Sequence, residues 1–186
     1  MNIKLATRAE IAYKEFMVAM GIDVNSPHAK DTPHRVARFY REYTEGLRPK
    51  TFTFTAFPKN KHHRYDQLVV VGPIPFYTLC AHHHVPFYGQ VHVGYLPHRK
   101  IIGLSKIVRV VQWLSRKPNI QEDFTEEIAN ELEIGLKPKA VLVYVDAEHL
   151  CISMRGVAKH DVRTKTHCLR GQGLQLKDEF LQMIRE

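Results

Sequence analysis

The sequence predicts an α+β fold: an antiparallel four-stranded sheet with two helices on one face and further helices ahead of it. Two observations predict it. Segments of strand character come in adjacent pairs rather than alternating singly with helices. Between the two pairs lie two consecutive segments of helical apolar periodicity. The 186 residues suit one domain, or one domain with an appendage. The expected division is an N-terminal helical region, residues 1–46, and a single functional α+β unit, residues 47–186.

The first helix is written in "TRAEIAYKEFMVAMG", where Thr7 and Glu10 have capping-box spacing and Gly21 supplies a stop. Ala9, Ala12, Phe16, Ala19 and Met20 share one of its faces. The second opens at "DTPHRVARFYREYTEG", with Thr32 as N-cap, Pro33 at the first position and Gly46 as the close. Its apolar stripe is Val36, Phe39, Tyr40 and Tyr43. Residues 47–65 read as an irregular connection. "QLVVVGPIPFYTL" is a strand and turn, β-branched and interrupted by prolines. In "GQVHVGYLP", Val91, Val93 and Tyr95 face one way, Gln90 and His92 the other. Two helices follow, "LSKIVRVVQWLSRK" and "IQEDFTEEIANELEIGLKP". "KAVLVYVDAEH" and "LCISMRGVAKH" read as the second strand pair, and "LKDEFLQMIRE" as a closing amphipathic helix. A small sheet covered on one face leaves its edges open, which favours assembly with further copies of the chain.

With 27 basic and 19 acidic side chains, the net charge of +8 favours an anionic partner. No helix-turn-helix, zinc-finger or RNA-binding signature accompanies it, so a polyphosphate-bearing small molecule is expected rather than nucleic acid. No apolar run approaches the roughly 20 residues of a membrane helix. The N-terminus lacks the apolar core of a signal peptide, so a cytoplasmic protein is expected. The three cysteines, Cys80, Cys151 and Cys168, are far apart in sequence, which argues for reduced thiols rather than a disulfide framework.

Chemistry concentrates in "LCAHHHVPFYG" and "AEHLCISMRG". Zinc takes Cys sulfur and His nitrogen, and catalytic sites supply three protein ligands and keep a fourth position for water. Cys80 and His83 have the Cys-x-x-His spacing that lets one turn offer two ligands. Cys151, at the start of or within the last predicted strand, completes a Cys₂His set if the two hairpins are neighbours. Spacing alone leaves a histidine-rich surface loop and a buried cysteine equally open. On a turn His82 points away from its neighbour, and on a strand His149 faces the same side as Cys151. Imidazoles titrate near neutrality, which suits proton shuttling, though either could orient a ligand or be exposed. His84 reads as structural or solvent-exposed.

"DTPHRVARFY", "PFYTLCAHHHVPFYGQVHVGYLP", "IGLSKIVRVVQ", "QEDFTEEIA" and "AEHLCISMRGV" together resemble GTP cyclohydrolase I, in that family's order and spacing over most of the chain. The resemblance implies ring-opening hydrolysis of GTP to formate and 7,8-dihydroneopterin triphosphate. It implies zinc held by Cys80, His83 and Cys151, with His82 and His149 as catalytic histidines. Glu122 matches the guanine-holding carboxylate, with Gln121 beside it. Ser105, Lys106 and Arg109 match ribose and triphosphate contacts, with Ser105 also giving acid–base help near the sugar. Arg155 and Arg35 match further phosphate-binding arginines. The implied fold is tunnelling-type, with subunit sheets joined into barrels and two pentameric rings forming a homodecamer. Plainer roles remain for several of these residues. Ser105 is a good N-cap, and Lys106, Arg109 and Arg35 suit solvated helix faces. Glu122 suits a helix N-terminus, and Arg155, Lys159, Arg163 and Lys165 suit a charged loop.

The chain departs from the family at Ala81, where a glutamate is usual, and at His167, where a serine is common. The segment ahead of the match is short, so no regulatory extension is expected. A nitrile reductase of the queuosine pathway, sharing the fold, would lack the Cys–His–Cys set. A zinc nucleoside deaminase would need His-x-Glu and Pro-Cys-x-x-Cys, absent here. A non-catalytic alternative is a structural zinc or phosphate-binding interaction module, but a structural zinc site would normally fill four protein positions, where three are identifiable.

Overall fold

The computed structural model describes residues 3–49, 54–59 and 65–185. The chain forms two compact units, Met1–Glu45 and Gly46–Glu186. Part of the expected connection, residues 50–53 and 60–64, lies outside the described residues.

The first unit is a pair of helices, α1 (Ile3–Ala19) and α2 (Thr32–Glu42). Helix α1 begins a turn before Thr7, so that residue lies inside the helix and the expected capping box does not form. The stop is as expected: Gly21 adopts φ +75° and its amide bonds the Val18 carbonyl. The expected apolar face is turned out. Ala9, Ala12, Phe16, Ala19 and Met20 are exposed, while Met17 is buried with Tyr13 and Glu10 half-buried beside it. Glu10 Oε1 reaches His34 Nδ1 on α2 at 2.9 Å on the same face. In α2, Asp31 rather than Thr32 is the N-cap, and Pro33 is the residue that becomes buried. Val36, Tyr40 and Tyr43 are half-buried, but Phe39 is exposed. The helix ends at Glu42, before Gly46.

Gly46 belongs to the second unit, in a 3₁₀ turn, Glu45–Leu47. Its amide bonds the Arg116 carbonyl at 2.7 Å, and a Cβ there would meet the Trp113 carbonyl oxygen at 2.7 Å. Close backbone approach, not helix termination, is why glycine stands there. Strands β1 (Ala56–Pro58), β2 (Val69–Cys80), β3 (Pro86–Leu96), β4 (Lys100–Ile102), β5 (Pro118–Asn119), β6 (Ala140–His149) and β7 (Arg163–Gly171) follow. Strands β1 and β4 form a small ribbon, β1 falling inside the expected irregular connection. The main sheet has the order β5-β2-β3-β6-β7. Its four long strands are antiparallel as expected; the two-residue β5, parallel to β2, makes it mixed.

Helices α3 (Leu104–Leu114) and α4 (Gln121–Leu136) pack against the sheet. Val91, Val93 and Tyr95 point into this core as their alternation predicts. Helix α4 buries Phe124, Ile128, Leu132 and Leu136, the stripe of an amphipathic helix, and ends with Lys137 in the left-handed region at φ 49°. Ile128 is fully buried, so Ile128→Ala is expected to cost about 2–5 kcal/mol in denaturant unfolding. A short α5 (Leu150–Ser153) and α6 (Lys177–Met183) complete the unit, the latter setting Phe180 against Gly94 on the opposite sheet face. No helix among the described residues is long and apolar enough to cross a membrane.

The last strand differs from expectation. "LCISMRGVAKH" is a helical turn followed by loop, and the strand lies further on, at β7. Cys151 therefore sits on α5, and His149 and Cys151 do not alternate along a strand.

Candidate metal centre

Strand register brings the distant motifs together. Thr78 on β2 pairs with Phe87 on β3, and Phe87 pairs with His149 on β6. Two residues beyond Thr78 comes Cys80; two beyond His149 comes Cys151. The turn after Cys80 is held from below. Asn119, buried on β5, donates to Thr78 Oγ1 and to the Leu114 and Lys117 carbonyls, and its own carbonyl receives the Ala81 amide at 2.9 Å. Cys80 and Val85 close the turn through a backbone bond of 2.9 Å, with His84 at φ 55°. Ala81 thus contributes a backbone anchor to the turn.

Within this frame one ligand atom each from Cys80, His83 and Cys151 lie within 4.8 Å of one another. Cys80 Sγ is 3.8 Å from His83 Nδ1. A tetrahedron with bonds of about 2.3 Å has edges of about 3.8 Å, which the Cys80–His83 separation matches, and the three together could hold one ion. Their electrostatics fit as well. Burial, and then the neighbouring Cys80 thiol, push the Cys151 thiol above its usual range, with Arg155 opposing. Two adjacent thiols cannot both ionise cheaply unless a cation stands between them. Cys80 is buried, Cys151 half-buried and His83 exposed, so the cluster opens to solvent on the histidine side.

Around this cluster the expected acid–base groups are partly assembled. His82 Nδ1 is 4.0 Å from Cys80 Sγ, and its ring crosses that of His83 at 76° with centroids 6.2 Å apart. His149 stacks on Phe87, centroids 4.4 Å apart and planes within 4°. Burial lowers its pKa and the Glu122 carboxylate works against that, which places Glu122 within electrostatic reach of the imidazole. Glu122 is exposed in the first turn of α4. Arg155, exposed, follows Cys151 by one helical turn.

The remaining expected residues are placed by their own elements. Ser105 is in the first turn of α3, but the N-cap is Gly103. Among the described residues no hydrogen bond or ion pair joins Ser105, Lys106 or Arg109 to the cluster. Arg35 lies on α2 in the first unit, with Asp31 at 3.6 Å. Arg163 and Lys165 are not a free basic run, since both face Asp146, at 2.7 and 3.7 Å. His167 is exposed on β7, opposite Tyr144. Gln121, expected beside Glu122 as a substrate contact, is 1% exposed, and its amide is spent inside the protein. Thr125 and Thr166, which complete that buried network, carried no signal in the sequence beyond Thr125 following Gln121 by one helical turn.

The profile of the GTP cyclohydrolase I family matches residues 9–185. A Streptococcus mutans GTP cyclohydrolase 1 is 42% identical over 193 residues, covering 99% of this chain and 98% of its own. The Aquifex aeolicus protein of the same name is 42% identical over 177 residues, with 94% of both chains covered. A Mycobacteroides abscessus one is 46% identical over 169 residues, covering 89% of this chain and 81% of its own. Among solved structures, an apo archaeosine synthase QueF-like protein aligns with a TM-score of 0.46 at 15% identity, over 56% of this chain and 93% of that one. With a family profile spanning all but the ends and full-length relatives above 40% identity, the chain belongs to the GTP cyclohydrolase I family.

Proposed function

We propose that this chain opens the purine ring of GTP by hydrolysis, releasing formate and forming 7,8-dihydroneopterin triphosphate, with zinc as its metal. The observation that carries the reading is the convergence of Cys80, His83 and Cys151 in a chain whose family acts on GTP. Zinc bound by these three residues supplies Lewis acidity and a water acidified to near neutrality. The remaining work falls to the protein's own side chains. His149 and His82 exchange protons with the purine. For His149, burial favours the neutral imidazole, the form that can accept a proton. Ser105 assists at the ribose, and Lys106, Arg109, Arg155 and Arg35 bind phosphate oxygens.

Glu122 reads the base. Its carboxylate accepts from N1–H and the exocyclic amine of guanine; adenine has no N1–H and would leave it unpaired, a mismatch of the kind that gives rejection of about 10⁴ or more. Glu122→Ala is expected to weaken GTP binding by about 100-fold, the loss of one or two charge-assisted hydrogen bonds, with metal content unchanged. Unaltered GTP affinity in a binding titration would remove Glu122 from the site.

The assembly we propose is a cytoplasmic homodecamer of two pentameric rings, with a tunnelling-type fold in which sheets of neighbouring chains join into barrels. The nine-residue β7 at one sheet edge supports this, being long enough to pair with another copy. Native mass measurement tests it. For the activity, purified protein of known metal content is incubated with GTP while formate and the fluorescence of the oxidised pterin are followed. Both should appear in equal amounts, and absence of formate from fully metallated protein overturns the reading.

A further inference from the structure

Behind His149 lies a hydrogen-bond circuit in which every proton can be placed. Gln121 Nε2 stands 3.0 Å from the Thr164 carbonyl oxygen and 3.4 Å from that of Val145. Carbonyl oxygens only accept, so this end of the amide must be its NH₂. A flipped amide would set oxygen against oxygen in a buried site. The other Nε2 hydrogen goes to Thr166 Oγ1 at 3.1 Å. Thr125 donates its hydroxyl hydrogen to the Gln121 backbone carbonyl at 2.7 Å. At the 2.6 Å contact between the two threonines, Thr166 is therefore the donor. With both amide hydrogens committed, Gln121 has only Oε1 left, which accepts and cannot donate. The atom 2.7 Å from it is His149 Nε2. That nitrogen must carry hydrogen.

We propose that Gln121 is a positioning residue that holds His149 in its Nε2–H tautomer, leaving Nδ1 as the ring nitrogen that exchanges a proton with the substrate. Among the described residues no hydrogen bond occupies Nδ1. Phe87 restricts the remaining freedom, because tilting a ring stacked within 4° of its neighbour would break the stack, and a half-turn that kept the stack would still lose the bond to Gln121. The circuit spans the start of α4, the end of β6 and the middle of β7, so the tautomer is set by how three elements pack. It also accounts for a glutamine buried to 1% exposure beside an exposed glutamate. Glu122 faces outward, whereas Gln121 acts only through the histidine.

The catalytic consequence rests on the proposed role of His149, but the tautomer does not, and the test separates them. The full chain is labelled with ring-¹⁵N histidine and studied by solid-state NMR at a pH where the imidazole is neutral. The His149 signals are identified by their loss in His149→Asn. In the wild-type protein the expected result is a protonated Nε2 and a bare Nδ1; hydrogen on Nδ1 overturns the proposal without any variant needing to fold. Gln121→Met keeps the side-chain length and removes the acceptor. In it the two tautomers should become mixed, and kcat should fall about 10- to 100-fold, within the range of general acid–base effects, while KM for GTP stays within about threefold. An unchanged tautomer in that variant, or a raised KM at constant kcat, overturns the positioning role. Wild-type turnover in His149→Asn would instead overturn the catalytic role of the histidine, with the nitrogen spectrum still deciding the tautomer.

Discussion

Cys151→Ser is expected to lose bound metal and turnover together. Serine keeps the shape of cysteine but is not a thiolate donor at neutral pH, so only Cys80 and His83 would remain on the ion. Removing a partner that merely orients a ligand typically costs 10- to 100-fold in affinity, and removing a ligand should cost more than about 100-fold. Metal analysis after gel filtration should fall from one ion per chain to near zero, with formate release from GTP falling alongside. The fold should survive, because Cys151 is half-buried on a four-residue helix at the end of β6. Metal loss with turnover intact would refute the proposed mechanism. Incubation with a strong chelator should reproduce the variant's phenotype in the wild-type protein, and added zinc should reverse it.

Gly89→Ala is expected to have the largest effect on stability. Gly89 sits in β3 between Phe76 and Ala147, and a Cβ there would stand 2.0 Å from the Asp146 carbonyl oxygen and 2.7 Å from Ala147 Cα. Both atoms are backbone, so no side chain can swing aside and the β3–β6 pairing itself must open. The cost should exceed about 3 kcal/mol, above the usual range for overpacking. For a chain of this length that lowers Tm by roughly 6–12 °C or more. The damage would also reach the metal centre, because the pairing of Phe87 with His149 is two residues away. Gly156→Ala is the control: its φ is +60° but a Cβ would meet nothing within 4 Å, so the cost should be limited to about 1 kcal/mol of backbone strain. Equal stability losses in the two variants would contradict the steric account.

How legible these features were in the sequence follows from where their signals come from. Helix α4 and strand β3 were readable because each buries one apolar face, so periods of 3.6 and 2 appear directly in the residue types. Strand β7 was not. Of its inward-facing residues, Thr164, Thr166, Cys168 and Arg170, two are threonines that serve the Gln121 network, so the apolar alternation that marks a strand is missing. "LCISMRGVAKH" had that alternation over its first few residues and folds as a helical turn instead. Helix α1 has apolar residues on every side, Ile11, Phe16, Val18 and Met20 among them, and periodicity could not say which face would meet α2. The covered face is the one that carries Met17, with Tyr13 and Glu10 beside it.

The members of the candidate metal cluster could be picked out in the sequence because their signals are local, Cys-x-x-His on one turn and a second cysteine two residues after another histidine, although that spacing alone left a plain surface loop equally open. Their convergence could not be, since it depends on the Thr78–Phe87–His149 register across three strands. Gln121 shows the opposite case. At a helix start beside a glutamate it reads as a solvent or substrate contact, and only the three-dimensional placement of Thr164 and Thr166 reveals a buried amide serving His149.

The central claim is that a three-ligand metal centre opens the purine of GTP. Its most direct test is to add zinc stepwise to metal-stripped protein and follow formate released from GTP. Formate production should rise in proportion to zinc and level off at one equivalent per chain, with Cys151→Ser giving no rise at any zinc concentration. Full formate release from the stripped protein, or zinc uptake to one per chain with no formate at all, would contradict it.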